Sequence, residues 1–447
     1  EGTYRMVFAP FIKNEYGKKS DVDHVDGLIF TKMQGASSKN ILWQPRDWGD
    51  IQLPNIKLRK SFKNEGSFCN EYNSEDKTYL CIYHHFPIQN NKILIWANNF
   101  HAYGDSPKYI AEYLLRNYPK KYDLVWVFEK DSAIPEDMPQ EIRIVRFFSV
   151  EYLKEISTAK IIICNTRTAP YYFFDKRKEQ IYLQTWHSSL RLKMIEGDAP
   201  SLPADYIKSA KEDSKKIDLL LSGCAFSTEV FRRAFWYDGE IMEGGTPRCD
   251  PLLRDNSALK QKVYHHYGLR SGMKLAIFAP TFRDGKGAQT HDMDFAGLSK
   301  ALRALDNTDW TIGCRYHPNL KDAPVPDGSI AMTSYPDMQE LIAAADFLIT
   351  DYSSCMFDMA ISGKPCMLYV PDIAEYTANE RKLYFSLNEL PFPVAFHMDE
   401  LYEKIRCFDR DVYQDQVQAF LDFVGNYEDG HASQRVADYI EGKCRTQ

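Results

Sequence analysis

Residues 347–370 read FLIT DYSS CMFDMAIS GKP CMLYV, and this succession decides the fold. The run 347–350 is short and continuously apolar, as a parallel strand covered on both faces is, and 366–369 is a second such run. Between them the spacing predicts a helix near 356–362, closed by Gly363 and Pro365. Strand, helix and strand in so short a space predict parallel neighbours with the helix laid across one face.

The same cycle extends outward in both directions. Upstream are a strand over 275–279, a helix near 295–305, a strand over 310–315 and a helix over 337–345. Before the break at 247–251 there is another series. Strands are expected at 93–97, 124–128, 142–146, 161–164, 181–185 and 219–222, with one more ending near Glu243 and helices at 106–117 and 151–159. The fold class is therefore α/β, with two Rossmann-like domains facing a cleft and boundaries near 91–250 and 251–447. A last helix, about 432–442, is available to pack back on the first domain. Residues 1–90 differ, with β-prone runs at 4–8, 27–31 and 79–83 among Asn, Lys, Gly and Ser clusters, and read as a small β-rich appendage.

A chain of 447 residues, 44% apolar and 26% charged, is too long for one ordinary core and has the balance of a folded protein. A net charge of -7 argues against wholesale nucleic-acid binding, although the basic stretches 176–178 and 208–216 could meet anionic substrates. Ten cysteines form no CxxC pair, and Cys164, Cys314 and Cys366 fall in apolar runs. They read as reduced thiols packed as small hydrophobes, so a reducing cytosol is expected. No apolar run approaches the roughly 18 to 20 residues that span a bilayer. The chain starts at Glu1 and is read as trimmed or as a piece of a longer protein.

Open parallel sheets bind ligands beyond the carboxyl ends of their strands, so the residues after each apolar run carry the chemistry. After 181–185 come Trp186, His187, Ser188 and Ser189, and after the strand ending at Glu243 come Arg248 and Asp250. The second half contributes Thr281 and Arg283, then His317, then Asp351, Ser353 and Ser354. A helix start behind Ser353 and Ser354 has unpaired N–H groups and a favourable dipole for phosphate, while Ser353 also suits a plain N-cap. His187, neutral at a crevice edge, suits a general base for a hydroxyl; His317, set by Pro318, suits donation to a phosphate oxygen. For both, an ordinary hydrogen-bonded histidine is the other reading. The guanidinium forks of Arg248 and Arg283 suit a pyrophosphate, or else a structural carboxylate such as Asp250 or Asp284. DxD triplets at Asp21/Asp23, Asp292/Asp294 and Asp409/Asp411 avoid the strand ends, and no metal site is assigned.

Taken in order, the motifs resemble the CDP-glycerol glycerophosphotransferase family from about residue 92 to 394. They are NNFHAYGDSPKYIAEYL (98–114), QTWHSSLRLKMI (184–195), FSTEVFRRAFWYDGEIMEGGTPRCD (226–250), APTFRD (279–284), YHPN (316–319) and DYSSCMFDMA (351–360), then Glu375, Tyr376 and Arg381. The chain departs from the family at Ser188-Ser189-Leu190, where Gly-Thr-Pro is usual, and at Cys249, where Asn is usual. The resemblance implies a GT-B scaffold and transfer of glycerol phosphate from CDP-glycerol to a hydroxyl of a polyol-phosphate or lipid-linked primer. CMP is released, and the product belongs to teichoic-acid-like or capsule polymers. His187 would take the hydroxyl proton. Arg248, Arg283, His317, Ser353 and Ser354 would hold the pyrophosphate, with Asp358 and Arg381 assisting and Asp250, Thr281 and Asp351 completing the substrate-binding set. No metal or cofactor beyond the CDP-polyol donor is implied. Such a protein is expected at the cytoplasmic face of the membrane as a peripheral protein, with 171–178 and 231–237 as candidate contacts. A CDP-ribitol donor, or a nucleotide-sugar glycosyltransferase on the same scaffold, stays open as an alternative.

Overall fold

Two fully parallel sheets follow one another along the chain in a computed structural model that describes residues 4–8, 28–32, 83–168, 176–281, 293–316, 326–379 and 382–444. Ahead of them β1 (Tyr4–Phe8) pairs antiparallel with β2 (Leu28–Lys32), Tyr4 opposite Lys32. The expected third run of the appendage lies outside the described residues except for Tyr83, which is not in a strand.

The first sheet comprises β3 (Gln89–Ile95), β4 (Asp123–Phe128), β5 (Arg143–Arg146), β6 (Ala159–Cys164), β7 (Ile181–Gln184), β8 (Leu219–Ser222) and β9 (Glu240–Glu243). Its spatial order is β5-β4-β3-β6-β7-β8-β9. The second comprises β10 (Lys274–Ala279), β11 (Trp310–Cys314), β12 (Ile330–Ala331), β13 (Phe347–Thr350), β14 (Cys366–Tyr369) and β15 (Val394–Ala395), in the order β12-β11-β10-β13-β14-β15. In each sheet the winding reverses beside the first strand, between β3 and β6 and between β10 and β13, with Ile95 opposite Ile163 and Ala279 opposite Thr350. A crevice opens at such a reversal, so both sheets aim their binding loops from the same topological place.

Burial explains the apolar runs: every residue of Leu219–Ser222, Phe347–Thr350 and Cys366–Tyr369 is buried, with helices on both faces. Helix starts are set by side-chain caps. Ser149 accepts from the Tyr152 N–H, Asp294 from Gly297 and Asp409 from Asp411 and Val412. Two DxD aspartates are thereby helix caps. Among the described residues eight cysteines are free, six of them buried.

Sequence reading passed over the helices Ala204–Ser214, Ala225–Ala234, Met398–Arg406 and Arg410–Val424. One candidate membrane contact is corrected by this. In 231–237, Phe231, Ala234, Phe235 and Tyr237 are buried, and Phe235 meets the Trp186 ring edge-on at 4.9 Å, so these four side chains belong to the core while Arg232 and Arg233 are exposed. Of 171–178 only 176–178 is described, and Lys176 is paired with Asp218 at 2.6 Å.

The domains are joined through buried polar groups. From the helix Asp105–Asn117, Lys108 Nζ reaches Asp337 at 2.7 Å and Glu340 at 2.5 Å in the second domain, and the Tyr109 hydroxyl donates to Asp337 at 2.7 Å. Past β7, Lys193 makes an antiparallel bridge with Leu383. The chain then returns, and the helix Ala432–Cys444 buries Val436, Ala437 and Ile440 in the first domain's core beside Ile110 and Leu114. No helix of the described residues is long and apolar enough to cross a membrane.

Candidate active site

His187 leaves the end of β7 through a turn that Trp186 makes with φ 53°, a left-handed conformation rare for a bulky residue. Three contacts hold it. The Trp186 N–H donates to Gln184 Oε1 at 2.9 Å, the Thr185 hydroxyl donates to the Trp186 carbonyl at 2.9 Å, and the indole lies against the imidazole, ring centroids 4.3 Å apart. His187 Nδ1 is 3.0 Å from the Asn165 carbonyl oxygen. A carbonyl only accepts, so Nδ1 carries the proton and the Nε2 lone pair is left for a ligand.

Asn165 follows β6 and is clamped by Asn98, which follows β3. Its Oδ1 accepts from the Asn98 N–H at 2.8 Å and its Nδ2 donates to Asn98 Oδ1 at 2.9 Å. The clamp spans the reversal of the first sheet. Asn98, Asn99 and Phe100 all have positive φ, 49°, 52° and 69°, and the Phe100 ring is held by stacking on Phe147 at 4.0 Å. Consecutive left-handed residues store strain of roughly 1–3 kcal/mol each, kept only where surroundings enforce them and concentrated at functional sites.

His187 is exposed at the surface of the loop, yet protein packs closely around its imidazole. This desolvation holds its pKa below the ordinary histidine value; the Asn165 carbonyl and Asp105 oppose the shift, and the Arg248 and Arg191 charges add to it. His187 is thus neutral at pH 7 and fit to accept a proton.

Arg248 lies beneath this loop in the 3₁₀ turn Pro247–Leu252 and is buried. Nη1 donates to Asp105 Oδ2 at 2.8 Å and to the His187 carbonyl; Nη2 donates to Gln339 at 2.8 Å and to Asp358 at 2.6 Å. Burial opposes its charge, but Asp105 and Asp358 more than offset this and hold its pKa above the usual value. The Asp358 carboxyl is nevertheless raised, by burial first, because it shares that one guanidinium with Asp105. In this conformation the fork expected to meet pyrophosphate fastens the His187 peptide to both domains.

Asp250 was expected among the substrate-binding residues, and its place corrects that expectation. Its two oxygens accept from the Ala432 N–H at 2.9 Å and the Ser433 N–H at 2.7 Å, capping the C-terminal helix. At the second reversal Asp351 accepts from the Thr281 N–H at 2.9 Å and from its hydroxyl, tying β10 to β13 as Asn165 ties β6 to β3. Ser353 and Ser354 follow, half-buried. Ser354, not Ser353, occupies the N-cap of the helix Cys355–Ile361, and its side chain makes no cap hydrogen bond. His317, Arg283 and Arg381 lie outside the described residues. Sequence reasoning missed Asn98, Asn165, Asp105 and Gln339. Asn98 and Asn165 follow apolar runs, and the rule that found His187, applied to β3 and β6, yields them.

The family description CDP-Glycerol:Poly(glycerophosphate) glycerophosphotransferase matches residues 78–442. The chain belongs to this family. A teichoic acid poly(glycerol phosphate) polymerase of Staphylococcus epidermidis is 32% identical over 77% of the chain and 50% of that protein. A teichoic acid glycerol-phosphate transferase of Staphylococcus aureus is 29% identical over 78% of the chain and 93% of that protein. The wall teichoic acid polymerase TagF superposes with a TM-score of 0.72 at 28% identity, over 83% of the chain and 94% of the TagF chain. One TagF variant was soaked with CDPG. The chain spans about half the length of the first curated relatives it matches. For this glycerophosphotransferase-family chain, the arrangement offers an imidazole whose Nδ1 is engaged and whose Nε2 is left for a ligand in the first domain, and hydroxyl-bearing strand ends, Thr281, Ser353 and Ser354, in the second.

Proposed function

We propose that the chain transfers glycerol phosphate from CDP-glycerol to a terminal hydroxyl of a polyol-phosphate or lipid-linked primer, releasing CMP. The observation that carries this reading is the His187–Asn165 hydrogen bond, which presents an Nε2 lone pair within a chain of this family. The hydroxyl proton passes to Nε2 as the oxygen attacks the glycerol-bearing phosphorus in line. A new P–O ester bond forms, the P–O bond to the bridging oxygen breaks, and CMP leaves with that oxygen and its electron pair. Negative charge grows on CMP, so donors on the second-domain side serve departure. Ser353 and Ser354 are suited to it, with His317, Arg283 and Arg381 assigned there from the motifs. Arg248 and Asp358 act by position, through the His187 peptide.

The test is CMP release from CDP-glycerol with a glycerol-phosphate primer. His187→Ala is expected to lose at least about a hundredfold, the usual scale for a general base. Release by the wild type with CDP-ribitol or a nucleotide sugar, and none with CDP-glycerol, overturns the substrate. The reading uses no metal, and activity abolished by EDTA and restored by a divalent ion counts against that part. With a lipid-linked primer the chain works at the inner membrane face; failure to sediment with primer-bearing vesicles at low salt removes this placement.

A further inference from the structure

Five cations are buried among the described residues: Lys92, Lys108, Arg167, Arg191 and Arg248. Four are paired, Lys92 with Glu155, Lys108 with Asp337 and Glu340, Arg167 with Asp213 and Glu196, and Arg248 with Asp105 and Asp358. Arg191 is the exception. It is 2% exposed, and its Nε, Nη1 and Nη2 have no hydrogen-bond partner. Its guanidinium carbon sits 4.1 Å from the centre of the Phe231 ring. Burial lowers its pKa to about 10, which still leaves it charged at neutral pH.

An unpaired buried charge opposes folding, and a protein keeps one where a partner from outside completes it. Arg191 shares with His187 the segment that follows β7, and its charge is felt at the imidazole. It lies beside Ser188-Ser189-Leu190, where the chain departs from its family. In the reaction proposed above, on which this inference rests, the attacking hydroxyl is carried on a glycerol unit already esterified to phosphate. The acceptor therefore brings a phosphodiester anion within a few bonds of the oxygen that His187 deprotonates.

We infer that Arg191 binds the phosphodiester next to the acceptor's attacking hydroxyl and selects phosphate-bearing acceptors over plain polyols. To meet the anion the guanidinium leaves the Phe231 ring, a rotation that breaks no hydrogen bond because it makes none. A planar fork then gives two N–H donors to two phosphate oxygens.

The test compares wild type, Arg191→Met and Arg191→Lys without donor, by melting temperature in inorganic phosphate and in a short glycerol-phosphate oligomer. In buffer alone Arg191→Met should melt no lower than wild type, since it deletes an unpaired charge. The oligomer should raise the wild-type melting temperature and leave that of Arg191→Met unmoved. In turnover the acceptor KM of Arg191→Met should rise about tenfold or more while the CDP-glycerol KM stays within about twofold. Equal stabilisation of both proteins by the oligomer overturns the inference. So does a rise in the CDP-glycerol KM alone, which would assign the anion to the donor, or an Arg191→Met protein that melts far below wild type in buffer, which would make the role structural. If the wild type releases no CMP from CDP-glycerol, the reaction reading fails, and the oligomer comparison still decides Arg191.

Discussion

Asn98 and Asn165 grip each other through two hydrogen bonds, 2.8 and 2.9 Å, across the reversal of the first sheet, and the carbonyl of Asn165 in turn holds His187. Asn165→Ala keeps that carbonyl but frees the loop that carries it. A misplacement near 1 Å can cost about a hundredfold, so kcat should fall by roughly ten- to a hundredfold with the CDP-glycerol KM changed less than about threefold. Steady-state kinetics decide it, and a change confined to KM would dismiss the clamp.

His187 must be neutral to act, so activity is present above its pKa and is lost as the pH falls through it. Desolvation sets that pKa below the ordinary 6.5, with the charges of Arg248 and Arg191 adding. The acid limb of kcat/KM should therefore lie below pH 6.5, and Arg191→Met should move it upward. A limb at or above the ordinary value would contradict the assignment.

Asp250 caps the C-terminal helix, so Asp250→Ala should destabilise the fold by about 1–2 kcal/mol. The CDP-glycerol KM should stay within about twofold. Urea unfolding with kinetics on the same sample reads both, and a selective loss of donor binding would return Asp250 to the cleft.

Glu428 is buried against the Thr246 N–H at 3.0 Å and hydroxyl at 2.8 Å, and burial raises its carboxyl to about 7 from 4.5. A folded-state pKa raised in this way favours the protonated acid. Stability from this group is full below pH 4.5 and is lost as the pH rises through about 7. The difference is on the order of 3 kcal/mol. Denaturation midpoints from pH 4.5 to pH 8 should decline for wild type and flatten for Glu428→Gln; parallel curves would refute it.

Both sheets were legible because a strand covered on two faces has no polar side to interrupt it, and 219–222 and 347–350 were placed to the residue. The place of His187 just beyond β7 was legible from the run that precedes it. Asp250 was not, because the N–H groups it caps stand 182 and 183 residues away. Arg248 offered the same difficulty: its fork is divided among Asp105, Gln339 and Asp358, brought together only by the packing of two domains. Arg191, in a stretch of serines and leucines, carries nothing in its neighbours that announces a buried charge.

Lys108 and its two carboxylate partners are 4% and 2% exposed. Prising the halves apart there would strand an ammonium and two carboxylates, a cost of several kcal/mol, and would also sever Arg248 from Asp358. The two domains are therefore held as one block. Rearrangement at the site then falls to the strand-end loops, while the two sheets that carry them keep their spacing.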